Sequence, residues 1–277
     1  MEKSFGSFAP NWAQKKLLHV VRQSRLRRGA FRPAMSRLLN RLRPGPIDDT
    51  YQGASFRFYH QNSGTERGAL LNPDYNLEEL QFLRERTPVG GCFVDIGANV
   101  GTYALVMAQH VGAEGHVLAI EPHPVAYERL AFNREASGSR NVHLMQAAAG
   151  DGEGDLLLAT DGKNFGASHV VSAGASRDAI AVRSVRLRQA LEGAGIRHVH
   201  ALKIDVEGYE DRVLVGFFKD APRSIWPQAI VIEHLSRTEW STDCIALMLA
   251  YGYVIAGTTR SNTMLTLSVF EPSISAR

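Results

Sequence analysis

The hydrophobic pattern of the chain changes rhythm near residue 91. Beyond that point short apolar runs alternate with amphipathic stretches. The pattern predicts strand 91–96 and helix 100–111, strand 116–121 and helix 124–136, and strand 142–148. After an insertion it predicts strand 199–205 and helix 209–218, then strand 229–234 and helix 242–251. Units of this kind imply a parallel sheet with helices on both faces and right-handed crossovers. "YGYVIAG" and "TMLTLSVF", joined by "TTRSNT", add two strands and suggest an antiparallel strand at the sheet edge. Within residues 149–198, "DGEGDLLLATDG" and "AIAVRSVRL" read as an extra strand pair around the polar loop "KNFGASHVVSAGASRD", of the type that closes over a site.

Upstream the pattern is different. Residues 1–45 carry 11 of the 31 Lys and Arg and one acid, Glu2, which leaves the rest with 20 bases against 27 acids, a net of −7. Trp12, Leu17, Val20, Val21 and Leu26, then Phe31, Met35, Leu38, Leu39 and Leu42, recur at helical spacing and predict basic amphipathic helices split near "GAFRP". Such helices either pack their apolar face on the body or meet an anionic membrane, a protein or nucleic acid. "RPGPIDD" reads as a linker, and residues 50–88, with "SFRFYH" and "NLEELQFLRER", as a small lead-in. The expected division is a basic helical N-terminal extension (1–47), a cap segment (48–90) and a ligand-binding domain (91–277). Cys92 and Cys244 give no disulfide framework, and no apolar run approaches the roughly 20 residues of a membrane span, which points to a cytoplasmic protein.

The chemistry begins at "FVDIGANVG", a strand that gives way to Gly97, Asn99 and Gly101 before a helix. In a doubly wound sheet, ligands bind at the carboxyl ends of the strands. Asp95 ends the first strand and Glu121, in "VLAIEPHP", the second, where a carboxylate can accept hydrogen bonds from both ribose hydroxyls. The G-x-G-x-x-G spacing of dinucleotide folds is absent, and Asp95 would set a negative charge beside a pyrophosphate. S-adenosylmethionine, which carries a sulfonium and an ammonium and no phosphate, suits an acid there. The plainer alternatives are a tight strand-to-helix turn and, for Asn99, a helix N-cap.

"HALKIDVEGYE" places Lys203 and Asp205 on one face of a strand, so the pair either satisfies itself or sets Asp205 at the strand end over the reacting atoms, with Glu207 in the loop. Glu210 fits the start of a helix through the dipole alone. "AIVIEHLS" brings Glu233 and His234 to the same edge.

"FVDIGANVGTYAL", "VLAIEPHPVAYERLAFN", "LKIDVEGYEDRVLVG" and "IVIEH" together resemble the successive motifs of the FkbM family of S-adenosylmethionine-dependent methyltransferases over about residues 75–240. The resemblance implies a class I methyltransferase (Rossmann-like) α/β fold with a seven-stranded, mostly parallel sheet. It also implies O-methylation, often of sugars or secondary metabolites. By it, Asp95, Gly97, Asn99, Gly101 and Glu121 match cofactor positions, and Asp205 and Glu207 the family's signature acids. His234 is then the natural base for a hydroxyl acceptor, with Asp205 orienting it or acting itself. A divalent metal on Asp205 and Glu207 is an alternative, but two acids do not define a metal site. The expected partner is a small-molecule or glycan acceptor. An RNA methyltransferase, an NAD-dependent oxidoreductase and a non-catalytic cofactor-binding scaffold are the alternatives, and the −7 balance of the body argues against a broad nucleic-acid groove.

Overall fold

The computed structural model describes residues 3–159, 169–171 and 179–268. Helices α1 (Trp12–Arg22) and α2 (Phe31–Leu42) precede a hairpin of β1 (Ile47–Tyr51) and β2 (Ala54–Phe58), followed by α3 (Gly64–Leu71) and α4 (Leu77–Arg86). Then come β3 (Cys92–Ile96), α5 (Ala104–Val111), β4 (His116–Ile120), α6 (Pro124–Ala136) and β5 (Val142–Met145). The insertion holds β6 (Ala148–Gly150), β7 (Gly154–Ala159), β8 (His169–Val171), β9 (Ala179–Arg186) and α7 (Leu187–Gly193). The chain returns through β10 (Ala201–Ile204), α8 (Glu210–Asp220), β11 (Ala229–Glu233), α9 (Cys244–Ala250), β12 (Tyr253–Thr258) and β13 (Asn262–Leu267).

The main sheet has seven strands in the order β12-β13-β11-β10-β3-β4-β5. Pairing is parallel from β11 through β5, while β13 runs antiparallel to both β11 and β12. The antiparallel strand expected at the edge therefore lies one place inside it. Burial explains the exchange: Thr263, Met264 and Leu265 are buried in β13, whereas β12 leaves Val254 and Ile255 half exposed. The strand predicted over 142–148 also divides. Its first part stays in the main sheet, and Ala148–Gly150 pairs with β9 in a second sheet of order β6-β9-β7-β8. The polar loop "KNFGASHVVSAGASRD" falls outside the described residues apart from β8.

Strand alternation splits the core in two. Phe93, Val117, Ala119, Ala201 and Val231 face α4, α5 and the N-terminal elements, whereas Val94, Ile96, Leu118, Ile204 and Ile232 face α7, α8 and α9. Leu18 and Val21 of α1 and Leu39 of α2 join the first of these clusters, so the inner faces of the basic helices are packed on the body. The end of "RPGPIDD" is already buried strand. Asp48 pairs with Arg57 at 2.8 Å, both side chains about 1% exposed, and also accepts the amides of Gly6 and Phe8. Arg57 in turn donates to the carbonyls of Lys3 and Ser4.

Candidate functional site

A cleft of about 280 Å³ opens over the carboxyl ends of β3, β4, β10 and β11. Each strand contributes according to where it stops. β3 ends in a turn at Gly97, whose φ of +75° is a left-handed conformation open to glycine. Here, though, the close approach is to protein: a Cβ at Gly97 would sit 1.8 Å from the Asp205 carbonyl oxygen. Gly101, at φ +94°, is likewise held by packing, since a Cβ there would meet Leu130 at 2.6 Å. Both glycines are required by packing within the protein. They let the ends of β3 and β10, and α5 and α6, come together beneath the cleft.

Asn99 does not cap a helix. It takes φ +51° and turns its N–H onto Glu121 Oε2 at 2.7 Å, while Glu121 Oε1 accepts the His123 N–H at 2.8 Å. Glu121 is thus fixed by two amides from either side at the tip of β4 and lines the cleft. Burial pushes its carboxyl up to about 7, against the pull of those two amides.

Asp95 is placed lower. It is fully buried and not among the cleft-lining residues; Oδ2 accepts the first amide of α5, from Ala104, at 2.9 Å, and Oδ1 has no hydrogen-bond partner among the described residues. Burial raises it to about 6, with Lys203 opposing that rise. Lys203 is its cross-strand neighbour, in register on β10. The ammonium lies 3.1 Å from Asp205 Oδ2 and 5.2 Å from the Tyr103 ring centroid. Burial alone would lower Lys203, but Asp205, Asp95 and Glu121 hold it above its ordinary value.

Beyond β10 the chain carries Asp205, about a third exposed, and Glu207 in a left-handed conformation at φ +53°. That conformation is uncommon for a residue with a Cβ and accompanies functional loops when the surroundings enforce it. The enforcing residue is Glu210, buried, which accepts the amides of Val206 and Gly208 and the Trp240 indole N–H. An acid expected to serve only the helix dipole is the clamp on this loop. Glu207 itself accepts no hydrogen bond among the described residues. Burial, with Asp205, Glu233 and Glu210 nearby, brings it up to about 7.

At the end of β11, alternation separates the two candidates. Glu233 lines the cleft and accepts the Leu235 amide at 2.8 Å. His234 does not line it: its Nδ1 is 2.9 Å from Thr263 Oγ1 on β13. The structure therefore unites Asp205, Glu207, Glu121, Asn99 and Gly97 around one space, adds Glu233, and leaves His234 beside it. Residues 65–76 and 261–262 supply a further part of the wall, through Thr65, Tyr75, Asn76, Ser261 and Asn262. These were invisible in sequence because they come from the lead-in segment and a hairpin turn. The one local sign is Asn76, asparagine being among the side chains that tolerate its φ of +55°.

Among the described cleft-lining residues Lys203 is the only Lys or Arg, and no group of three or more His, Cys, Asp or Glu among the described residues is placed to hold a metal ion. Carboxylates thus outnumber cations among the described residues of the cleft.

The chain resembles known proteins in sequence and in fold. The methyltransferase FkbM domain matches residues 95–255, more than half of the 277. The hexuronic acid methyltransferase AglP of Haloferax volcanii is 24% identical over 137 residues, covering 50% of this chain and 54% of that protein, so the chain spans about half the length of this curated relative. Among solved structures, a precorrin-6y C5,15-methyltransferase from Geobacter metallireducens is 12% identical and covers 70% of this chain and 86% of that one, with a TM-score of 0.43. An rRNA methylase from Streptococcus thermophilus is 11% identical, covers 69% and 95%, and has a TM-score of 0.41. The family match runs from Asp95 through Glu233, across every acid at the parallel strand ends, and the chain belongs to the FkbM family of methyltransferases.

Proposed function

We propose that the protein is an S-adenosylmethionine-dependent methyltransferase acting on a hydroxyl of a sugar-type acceptor. The observation that carries this reading is the acid-lined cleft with Glu121 fixed at the tip of β4. Each Glu121 oxygen already accepts one amide and keeps a second lone pair, which suits the paired hydroxyls of a ribose. A dinucleotide's pyrophosphate would instead meet Glu121, Asp205, Glu207 and Glu233 with one cation, Lys203, already engaged. The residues fit a cofactor that is cationic and phosphate-free. S-adenosylmethionine, when bound, supplies an electrophilic methyl group on a sulfonium.

The protein's part is to hold the acceptor and remove its proton. Glu207, raised to about 7, is a better proton acceptor than an ordinary carboxylate and is still substantially ionised at neutral pH. Asp205, anchored by Lys203, orients the hydroxyl. We place the proton acceptor on Glu207 and not on His234, whose ring is engaged with Thr263. The name of the Haloferax volcanii relative supports a sugar as acceptor. The net −7 of residues 46–277 opposes a nucleic acid.

Calorimetry with S-adenosylmethionine and with NAD tests the cofactor, and methyl-labelled S-adenosylmethionine with neutral and uronic glycosides, read by mass spectrometry, tests the acceptor. Binding of NAD in place of S-adenosylmethionine would overturn the first assignment. Labelling of RNA but of no glycoside would overturn the second.

A further inference from the structure

The inner faces of α1 and α2 are accounted for by the core, but their outer faces are not. Leu18 and Val21 of α1 and Leu39 of α2 point into one cluster, and each helix also keeps an exposed apolar face. On α2 that face carries Phe31, Leu38 and Leu42, at positions i, i+7 and i+11, which fall within about 40° of one another and about 80° round the helix from Leu39. Their exposures are 54%, 38% and 41%. On α1 it carries Trp12, 71% exposed, and Val20, 55% exposed. An aromatic and aliphatic stripe of this kind on an otherwise strongly basic pair of helices is not a solvated face.

The charges beside it are also uncommitted. Arg22 and Arg27 pair with Asp49 and Asp74, and Arg43 donates to backbone carbonyls. By contrast Lys15, Lys16, Arg25, Arg28, Arg37 and Arg41 form no ion pair among the described residues. Lys16 lies 4.1 Å over the Trp12 ring, which places a cation at the edge of the apolar stripe. Apolar groups able to enter an acyl boundary, ringed by cations with no acidic partner, match the two requirements of an anionic bilayer surface. A protein partner of equal complementarity would need a large acidic face with an apolar centre. No helix among the described residues is long and apolar enough to cross a membrane, so the contact would lie in the plane of the surface.

We infer that the outer face of α1 and α2 is a docking surface for an anionic lipid bilayer, seated by Trp12, Phe31, Leu38 and Leu42 and held by the surrounding cations.

The full chain, floated with vesicles of phosphatidylcholine alone or with one quarter phosphatidylglycerol, should partition at least tenfold more strongly onto the anionic vesicles, with most of the gain lost in 0.5 M salt. A cation near such a surface is worth about a fivefold change in partitioning, so the double variant Arg37→Glu, Arg41→Glu should lower binding more than tenfold. Phe31→Ser with Leu38→Ser should do the same at unchanged charge. Circular dichroism and melting of both variants should match the parent, because all four side chains face outward. Equal binding to neutral vesicles, no binding to either, or unchanged binding by both variants would overturn the inference. So would a dimer in lipid-free solution that the same substitutions convert to monomer, which would make this face a contact between two copies.

Discussion

Replacing Glu121 by Gln separates what this residue does for the ligand from what it does to the fold. Its carboxyl lies at about 7 in the folded protein against an ordinary 4.5, chiefly through burial. A carboxyl with a raised folded value binds its proton more tightly in the folded state, so stability falls as pH climbs through the window from 4.5 to about 7. At about 1.4 kcal/mol per pH decade, that interval amounts to about 3 kcal/mol of destabilisation, absent at pH 4.5 and complete above pH 7. Glutamine keeps the shape but sets its NH₂ against one of the two amides, of Asn99 or His123, now satisfied by carboxylate oxygens. That mismatch costs about 1–3 kcal/mol at every pH. Urea titrations without ligand, run from pH 4.5 to 8, should show Glu121→Gln less stable than the parent at the acidic end and about equal or more stable at the alkaline end. In the same variant, loss of a charged acceptor should weaken S-adenosylmethionine binding by roughly 10- to 150-fold. A stability difference that stays constant across the pH range would refute the raised carboxyl, and unchanged affinity would remove Glu121 from the binding site.

Glu207→Gln should lower turnover by roughly 10²–10⁴ and abolish a rate limb near pH 7 with little effect on cofactor affinity, whereas His234→Ala should stay within a few-fold of the parent; the opposite pattern would return the proton acceptor to the imidazole. Gly97→Ala combines a left-handed alanine, about 1–2 kcal/mol, with a 1.8 Å collision against Asp205 that adds about 1–3 kcal/mol of overpacking, so urea melts should move by roughly 2–5 kcal/mol and turnover should fall with the displaced Asp205. Asp48→Ala removes the carboxylate paired with Arg57, buried to 1% exposure, and should lower stability in urea melts by about 1–3 kcal/mol. Deletion of residues 1–45 should leave an unfolded or insoluble chain; a soluble, cooperatively melting product would show that the sheet does not need α1 and α2.

Sequence rhythm was a good guide wherever a single element decides its own fate. Helix 124–136 begins at Pro124 and ends at Ala136 as its pattern predicts, because His123 caps it and proline favours its first turn. Asp205 and Glu121 were legible because an acid directly after a buried run sits at a strand end, and Glu207 through its place in the family's motif. What the sequence hid depends on neighbours distant in the chain. Period-two alternation decides between Glu233 and His234, and the phase is set by β11 meeting β13. Gly97 shows in sequence only that something comes close, and it takes the fold to show that the end of β10 does. Asp48 reads as linker because its partners, Gly6, Phe8 and Arg57, lie 42, 40 and 9 residues away.

The inward position of β13 bears on how the protein is made. β11, "AIVIE", is buried throughout in the finished sheet and pairs on one side with β13. β11 ends at Glu233 and β13 begins at Asn262, 29 residues later. At the roughly 5–20 residues per second of translation, the ribosome needs about 1.5–6 s to produce that interval. From the moment β11 leaves the exit tunnel until β13 follows, the nascent chain offers the free edge of a strand rich in isoleucine and valine, the type that templates pairing between chains. Polysomes crowd such edges together, so slowing the emergence of β13 after β11 should increase aggregation of the nascent protein, and holdase chaperones should engage it most strongly in that window.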